Sequence, residues 1–300
     1  MGALFHGLIV PMLTPLDAEE RLDRPAVSGF VDFLIAGGTD VLFILGTNGE
    51  GATLRPAVRH ALAEAAVEAA RGRVPVLAGA LEPGSVRVIE EVRALAGRGL
   101  AGYVATVPFY FPWYGEAEVR DHFRRIADAA DGPLLLYNIP QATKLCLKAD
   151  SVLQLAQHPN IVGVKDSSGD WSEFQAVLLR RPDSAFAILQ GIHQLSAVSL
   201  LAGADGLVPG YANMHPRLLA DMIAAARAGD AEATLAHQTY LDQLLRVRGR
   251  ANIHSNKLLC KVQGLMDDHV TAPLPRLTPQ EAEKFLAECR ALGFPPPAGE

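Results

Sequence analysis

Short apolar segments alternate with longer helical segments along most of this chain of 300 residues. Eight of the apolar runs have the length and composition of buried strands. They span residues 7–13, 41–46, 74–80, 102–107, 133–138, 161–165, 185–191 and 206–210. Between them lie segments of helical period that are rich in alanine, arginine and glutamate, such as 55–71, 85–98 and 116–130. Eight strands in alternation with helices predict an α/β protein with a (β/α)8 TIM barrel.

A doubly wound open sheet is the alternative arrangement. It is disfavoured because neither a GxGxxG motif nor a P-loop opens the first strand-to-helix turn. The helical period returns after the eighth strand, at 216–228, at 231–248, at 253–264 and after Thr278. The pattern therefore predicts a catalytic barrel over residues 1–228 and a helical extension packed on it over residues 229–300. Four residues are predicted to cap the N-termini of helices: Asp23, Ser85, Asp150 and Asp170.

Composition limits the partners and the compartment. The net charge of -6 argues against nucleic acid or an anionic membrane as the main partner. The three cysteines, Cys146, Cys260 and Cys289, are far apart and form no CxxC pair, which favours the reducing cytoplasm over a disulfide-forming compartment. We expect neither a signal peptide nor a transmembrane helix. No HxH or HExxH motif occurs, so no metal site is predicted.

Lys165 ends the sixth apolar run, 161–165. A buried ammonium group is costly, and burial favours the neutral amine. A neutral amine at the end of a strand can attack a carbonyl group and form a Schiff base. The simpler interpretation is a lysine that reaches solvent or pairs with Asp166. Residues at the other strand ends decide between these interpretations, because chemistry in a barrel gathers there.

The second predicted strand runs into a glycine-rich turn, 46–51. Such a turn can point backbone N–H groups at a carboxylate, and Thr47 and Asn48 add side-chain donors. An ordinary Asn-Gly turn is the alternative. Tyr110 and Tyr137 lie at the ends of the fourth and fifth strands, where a phenol can transfer protons or simply pack.

Gly191 and Val208 lie at the ends of the seventh and eighth strands. With the lysine, the tyrosines and the turn, these ends provide what a Schiff-base lyase needs. The lysine attacks a 2-keto acid such as pyruvate, a tyrosine relays protons, and the turn orients the carboxylate. The iminium is the electron sink, so no cofactor or metal is required. A catalytically silent barrel that binds a 2-keto acid is the alternative from another class.

Five motifs in order resemble the dihydrodipicolinate synthase / N-acetylneuraminate lyase family of class I pyruvate-dependent aldolases. They are 46–50, 106–110, 137–140, 163–166 and 204–208. The resemblance extends from about Gly7 to about Gly293. It implies a (β/α)8 barrel with C-terminal helices that assembles as a homotetramer, a dimer of dimers, and condenses pyruvate with an aldehyde.

The resemblance also assigns roles to individual residues. Lys165 matches the Schiff-base lysine and Tyr137 the proton-relay tyrosine. Thr47 matches the threonine that hydrogen-bonds this tyrosine, and with Asn48 it matches the binders of the pyruvate carboxylate. Tyr110 matches a tyrosine that a neighbouring subunit inserts into the site. The remaining substrate-binding positions are those of Gly191 and Val208, and the backbone carbonyl at the Val208 position faces the site.

Two departures from the family pattern bear on the substrate. Ala142 stands where dihydrodipicolinate synthases carry an arginine that grips the carboxylate of aspartate semialdehyde. Gly191 is followed by Ile192 and His193 rather than by carboxylates that hold sugar hydroxyls. The sequence therefore predicts an aldolase or dehydratase acting on a 2-keto-3-deoxy sugar acid or a 4-hydroxy-2-oxo acid. Dihydrodipicolinate synthase, which uses pyruvate and aspartate semialdehyde in lysine biosynthesis, is the alternative.

Overall fold

In the computed structural model, which describes residues 2–247 and 252–294, eight parallel strands close into one barrel in sequence order. The strands are β1 (Gly7–Pro11), β2 (Val41–Ile44), β3 (Val76–Gly79), β4 (Gly102–Thr106), β5 (Leu134–Asn138), β6 (Ile161–Asp166), β7 (Ala187–Gln190) and β8 (Gly206–Leu207). Pairing of Gly7 with Gly206 joins β8 to β1 and completes the ring. The predicted fold class is confirmed. Most strands are shorter than predicted because their last apolar residues already belong to the loops.

Helices connect the strands and continue beyond them. They are α1 (Arg24–Ala36), α2 (Pro56–Ala70), α3 (Ser85–Leu95), α4 (Glu116–Ala129), α5 (Pro140–Thr143), α6 (Ala149–Leu155), α7 (Trp171–Leu179), α8 (Ser196–Leu201), α9 (Pro216–Arg227), α10 (Ala231–Arg246), α11 (Asn252–Val262) and α12 (Pro279–Ala291). The last three are the predicted C-terminal helices. Residues 248–251 and 295–300 of the predicted extension lie outside the described residues, and its boundary at residue 229 stays a prediction.

The predicted helix caps are partly correct. Asp23 and Asp170 cap α1 and α7, and each carboxylate accepts a hydrogen bond from the backbone N–H three residues on, at 3.1 and 3.2 Å. The prediction is wrong for Ser85 and Asp150, which lie inside the first turns of α3 and α6. The Ser85 hydroxyl is instead 2.9 Å from Nδ1 of His122, because α4 packs against α3 there.

The barrel separates two apolar layers. Residues such as Phe43, Val104 and Leu135 fill its interior, whereas their neighbours along the strands pack outward against the helices. This alternation follows from the period of two in a strand. It also directs Tyr137 inward, so the last inward residues of β4, β5 and β6 form the floor of the barrel mouth. Within 2–247 and 252–294, no helix combines the length and apolarity needed to cross a membrane.

Candidate active site

Lys165 lies within β6 and is 4% exposed. Its Nζ is 3.9 Å from the centre of the Tyr137 ring and 5.1 Å from that of Phe43. Asp166 directs its carboxylate to Asn138 and Ser168 instead. Within the described part of the chain, no carboxylate is at ion-pair distance from Lys165 Nζ. The amine therefore projects into the barrel mouth between two aromatic faces, rather than pairing with Asp166 as the simpler interpretation had it.

Tyr137 is held on two sides. Strand register pairs it with Lys165 on β6 and with Thr106 on β4. Its ring meets Phe43 edge-on, with ring centres 6.3 Å apart and an interplanar angle of 83°. Its hydroxyl is 3.3 Å from the Thr47 hydroxyl. These contacts fix the phenol beside the amine and link it to the turn after β2.

The turn after β2 is tightly wound. The N–H of Gly51 donates to the carbonyl oxygen of Gly46 at 3.1 Å. A Cβ atom on Gly51 would lie 1.9 Å from the carbonyl oxygen of Leu45, so only glycine fits there. Thr47 is exposed and Asn48 half-buried at the mouth of the barrel, where both can meet a ligand.

Gly191 and Val208 both lie close to Lys165. A Cβ atom on Gly191 would be 2.1 Å from the Ser167 hydroxyl and 3.2 Å from Cε of Lys165. Glycine therefore leaves the space through which the lysine side chain passes. Val208 lines the barrel interior beneath Lys165, together with Phe43. The structure thus gathers Lys165, its aromatic neighbours and these two positions at one end of the barrel.

Tyr110 does not join the cluster around Lys165 within one chain. Its side chain is 82% exposed, and its ring contacts Phe111 with ring centres 5.0 Å apart. Its backbone has φ of 81°, which costs free energy in a residue other than glycine and often marks a functional position. Trp113 beside it is 80% exposed. A strained, exposed aromatic segment therefore projects from the end of β4.

A buried pair that was not predicted from the sequence joins the two strands of the candidate site. Asn138 and Asp166 directly follow Tyr137 and Lys165, and Nδ2 of Asn138 donates to Asp166 at 2.6 Å. Burial raises the pKa of Asp166, and hydrogen bonds from Ser168 and Asn138 oppose the shift. The pair fixes β5 against β6. The available signal was that a polar residue follows each of two candidate site residues on paired strands.

Glu50 ties the turn to the C-terminal helices. Its carboxylate is 2.5 Å from Nζ of Lys257 in α11, and both side chains are 0% exposed. It also accepts hydrogen bonds from the backbone N–H and hydroxyl of Thr271, at 2.6 and 2.8 Å. Burial lowers the pKa of Lys257, and Glu50 opposes this shift. Neither residue was predicted to have a role, because their contact joins distant parts of the sequence.

Replacing Lys257 by methionine is expected to lower the free energy of unfolding by about 3–5 kcal/mol, because Glu50 is left buried without its counter-charge. Urea unfolding at fixed protein concentration measures the loss. Adding Glu50→Gln is expected to recover part of it, since the neutral amide is less costly to bury. A loss below about 1 kcal/mol in the single variant would contradict a structural role for the pair.

Comparison with known proteins shows the family. The model of the Dihydrodipicolinate synthetase family matches residues 4–292. The chain belongs to this family. A 4-hydroxy-tetrahydrodipicolinate synthase from Aromatoleum aromaticum is 34% identical over 291 residues, 97% of this chain and 99% of that protein. A DapA-like lyase from Halobacterium salinarum is 35% identical over 290 residues, 96% of this chain and 94% of that protein.

A solved structure of the Dihydrodipicolinate synthetase family has a similar fold over nearly the whole chain. YagE is a prophage protein of the dihydrodipicolinic acid synthase family from E. coli K12, and its structure is a complex with pyruvate. It superposes with a TM-score of 0.91 at 28% identity, covering 97% of this chain and 99% of that one. The predicted family and the prediction that the protein is a lyase are confirmed.

Proposed function

We propose that the protein is a class I, pyruvate-dependent aldolase or dehydratase that acts on a 4-hydroxy-2-oxo acid or a 2-keto-3-deoxy sugar acid. The observation that carries this proposal is the Lys165 amine, buried in a strand and facing the Tyr137 ring at 3.9 Å. A lysine with no carboxylate partner in the described residues has little value for packing and high value as a nucleophile.

The reaction begins when the Lys165 amine attacks C2 of pyruvate. Loss of water then gives an imine, and loss of a proton from C3 gives the enamine that attacks the aldehyde. In the cleavage direction, breaking of the carbon–carbon bond leaves this same enamine. Tyr137 transfers these protons, and Thr47, 3.3 Å from its hydroxyl, orients it. The carboxylate of pyruvate binds the turn at Thr47 and Asn48. In this scheme the imine supplies the electron sink, so neither metal nor cofactor takes part.

A second copy of the chain completes the site in this proposal. In this assembly Tyr110 enters a neighbouring site and extends the proton relay from Tyr137, and its exposure and positive φ support that role. Aromatic residues that are 80% or more exposed, Tyr110 and Trp113, are suited to burial against another subunit. The proposed assembly is the homotetramer that the resemblance to the family implies.

The second candidate is 4-hydroxy-tetrahydrodipicolinate synthase activity. The name of the relative from Aromatoleum aromaticum favours it, at 34% identity over nearly the whole chain. Ala142 speaks against it, because an alanine there cannot form a bidentate pair with the carboxylate of aspartate semialdehyde. Both candidates use the same imine chemistry on Lys165, so only the second substrate separates them.

Steady-state kinetics with pyruvate separate the candidates. Aspartate semialdehyde is expected to be a poor co-substrate, and Ala142→Arg is expected to improve its kcat/KM by about 10–100-fold, the scale of a charge-assisted pair. Ala142→Leu is the matched control, because it adds bulk without charge. Efficient condensation with aspartate semialdehyde by the unchanged protein would assign it to the second candidate.

A further inference from the structure

A chamber of about 210 Å³ opens beside the Tyr137–Thr47 pair. Its wall is largely apolar and is built from Leu81, Phe109, Ile139, Ala142, Ile253 and Leu274. None of the described residues that line it is a lysine, arginine or histidine. An anionic group placed in it would have no cation from these residues to pair with, and a polyol would lose hydration without enough hydrogen-bonding partners.

Almost every polar group in the chamber wall is already engaged. Glu50 is held by Lys257 and Thr271, as described above. The Thr53 hydroxyl is 2.7 Å from that of Thr271, and the Thr143 hydroxyl donates to the carbonyl oxygen of Ile139 at 3.1 Å. These groups therefore serve the fold, and they are not available to a polar ligand without cost.

Apart from Thr47, which the proposed function assigns to the pyruvate carboxylate, Thr106 is the exception. The residue is only 5% exposed, and its buried Oγ1 has no hydrogen-bond partner among residues 2–247 and 252–294. A buried hydroxyl in this state is costly and is commonly satisfied by a ligand or water. The chamber thus presents a largely apolar wall and one buried hydroxyl without a partner in the described part of the chain.

The position of Thr106 is well fixed. Its backbone carbonyl oxygen is 3.1 Å from Nε2 of His122, which donates to it because a carbonyl can only accept. Burial lowers the pKa of His122 to about 4, so the ring is neutral near pH 7. Thr106 pairs with Tyr137, which pairs with Lys165. Because neighbouring strands lie about 4.8 Å apart, the Cα atom of Thr106 is roughly 10 Å from the Cα atom of Lys165 across the sheet.

We propose, resting on the proposed function, that this chamber binds the second substrate, an uncharged aldehyde with an aliphatic or aromatic substituent. The substituent fills the apolar chamber, and the Thr106 hydroxyl donates a hydrogen bond to the aldehyde oxygen. The proposal narrows the reaction to 4-hydroxy-2-oxo acids whose tail is apolar rather than a sugar chain.

The bond changes balance without an oxidant or reductant. C3 of the enamine on Lys165 attacks the aldehyde carbon, so a carbon–carbon bond forms and the carbonyl π bond breaks. The former aldehyde oxygen takes a proton from Tyr137 and becomes the C4 hydroxyl. Water then hydrolyses the imine, which releases the 4-hydroxy-2-oxo acid and the free lysine. Cleavage runs through the same steps in reverse.

The volume sets an upper size for the substituent. An apolar cavity of about 150 Å³ is large enough for benzene. A chamber of about 210 Å³ therefore holds a substituent up to about the size of a phenyl ring. Short alkyl chains fill it less completely and bury less apolar surface, so affinity is expected to rise from butanal to benzaldehyde.

The test measures aldol addition with pyruvate for four aldehydes. Butanal and succinic semialdehyde are a matched pair that differ by a terminal carboxylate, and benzaldehyde and glyceraldehyde contrast an apolar with a hydroxylated substituent. The two apolar aldehydes are expected to have kcat/KM at least about tenfold higher than the other two, the ratio for one desolvated polar group. Higher kcat/KM for succinic semialdehyde or glyceraldehyde would overturn the proposal.

Thr106 variants test the hydrogen bond itself. Thr106→Val keeps the shape and is expected to lower kcat/KM for benzaldehyde about 5–10-fold, whereas Thr106→Ser, which keeps the hydroxyl, is expected to lose less. Equal losses would contradict the hydrogen bond. Borohydride trapping of the pyruvate imine is measured for each protein. Missing imine in the unchanged protein refutes the proposed function, whereas imine formation without turnover of apolar aldehydes refutes only the chamber assignment.

Discussion

Replacing Lys165 by alanine is expected to lower kcat/KM for every substrate by about 10⁵–10⁶-fold, the scale on which an enzyme loses activity with its covalent nucleophile. The physical reason is that this amine lies in the barrel between the rings of Tyr137 and Phe43, where a carbonyl compound can reach it. Without it no imine forms, and pyruvate has no electron sink for carbon–carbon bond chemistry.

The measurement is pyruvate release from a 4-hydroxy-2-oxo acid, with Lys284→Ala as the matched control. Lys284 lies on α12 with its side chain 79% exposed, so its loss removes an ammonium group without touching the site. We expect the control to retain the activity of the parent. A Lys165→Ala protein that keeps more than about 1% of parental kcat/KM would exclude Lys165 as the nucleophile.

Replacing Tyr137 by phenylalanine is expected to reduce kcat by about 10²–10⁴-fold, the usual contribution of general acid–base catalysis. The phenyl ring keeps the contacts with Phe43 and the lysine, so only the hydroxyl that pairs with Thr47 is lost. The pyruvate imine should still form, more slowly, because Lys165 is unchanged. The defect is therefore expected in the proton-transfer steps and not in the binding of pyruvate.

Pre-steady-state kinetics of imine formation and steady-state kcat separate these effects. Tyr240→Phe is the matched control, since its hydroxyl lies 3.4 Å from the carbonyl oxygen of Leu292 in the C-terminal helices. We expect little change in that variant. A kcat for Tyr137→Phe within about threefold of the parent would remove this hydroxyl from the proton relay, because a relay contributes far more.

The barrel could be predicted because each strand and helix is encoded locally. The short apolar runs of the strands and the capping residues Asp23 and Asp170 are read directly from neighbouring residues. The strands are then expected to be parallel and in sequence order, because a helix connects each strand to the next. Ser85 was wrongly predicted as a cap because its hydroxyl contacts His122 on the next helix, and this contact depends on packing that no local pattern encodes.

The position of the candidate site in the barrel could be predicted for a similar reason. Lys165, Tyr137 and the turn with Thr47 and Asn48 lie at strand ends, and a barrel brings all strand ends to one face. The supporting contacts were missed because they join distant segments. Glu50 meets Lys257 from the C-terminal helices, and this pairing depends on how those helices pack on the barrel.

The chamber could not be predicted from the sequence because its wall is assembled from separate loops. Phe109, Ile139 and Ile253 are ordinary apolar residues in sequence, and only packing shows that they face one space beside the site. Whether the Thr106 hydroxyl has a partner is likewise a property of the folded chain. Substrate preference therefore depends on information that the catalytic motifs do not contain.

Borohydride reduction in the presence of pyruvate, followed by peptide mapping, tests the central claim most directly. Reduction converts an imine into a stable secondary amine, which marks the lysine that formed it. The predicted result is one pyruvate adduct per chain, on Lys165, and none in the Lys165→Ala protein. An adduct on another lysine, or a folded protein that yields no adduct, would contradict the account.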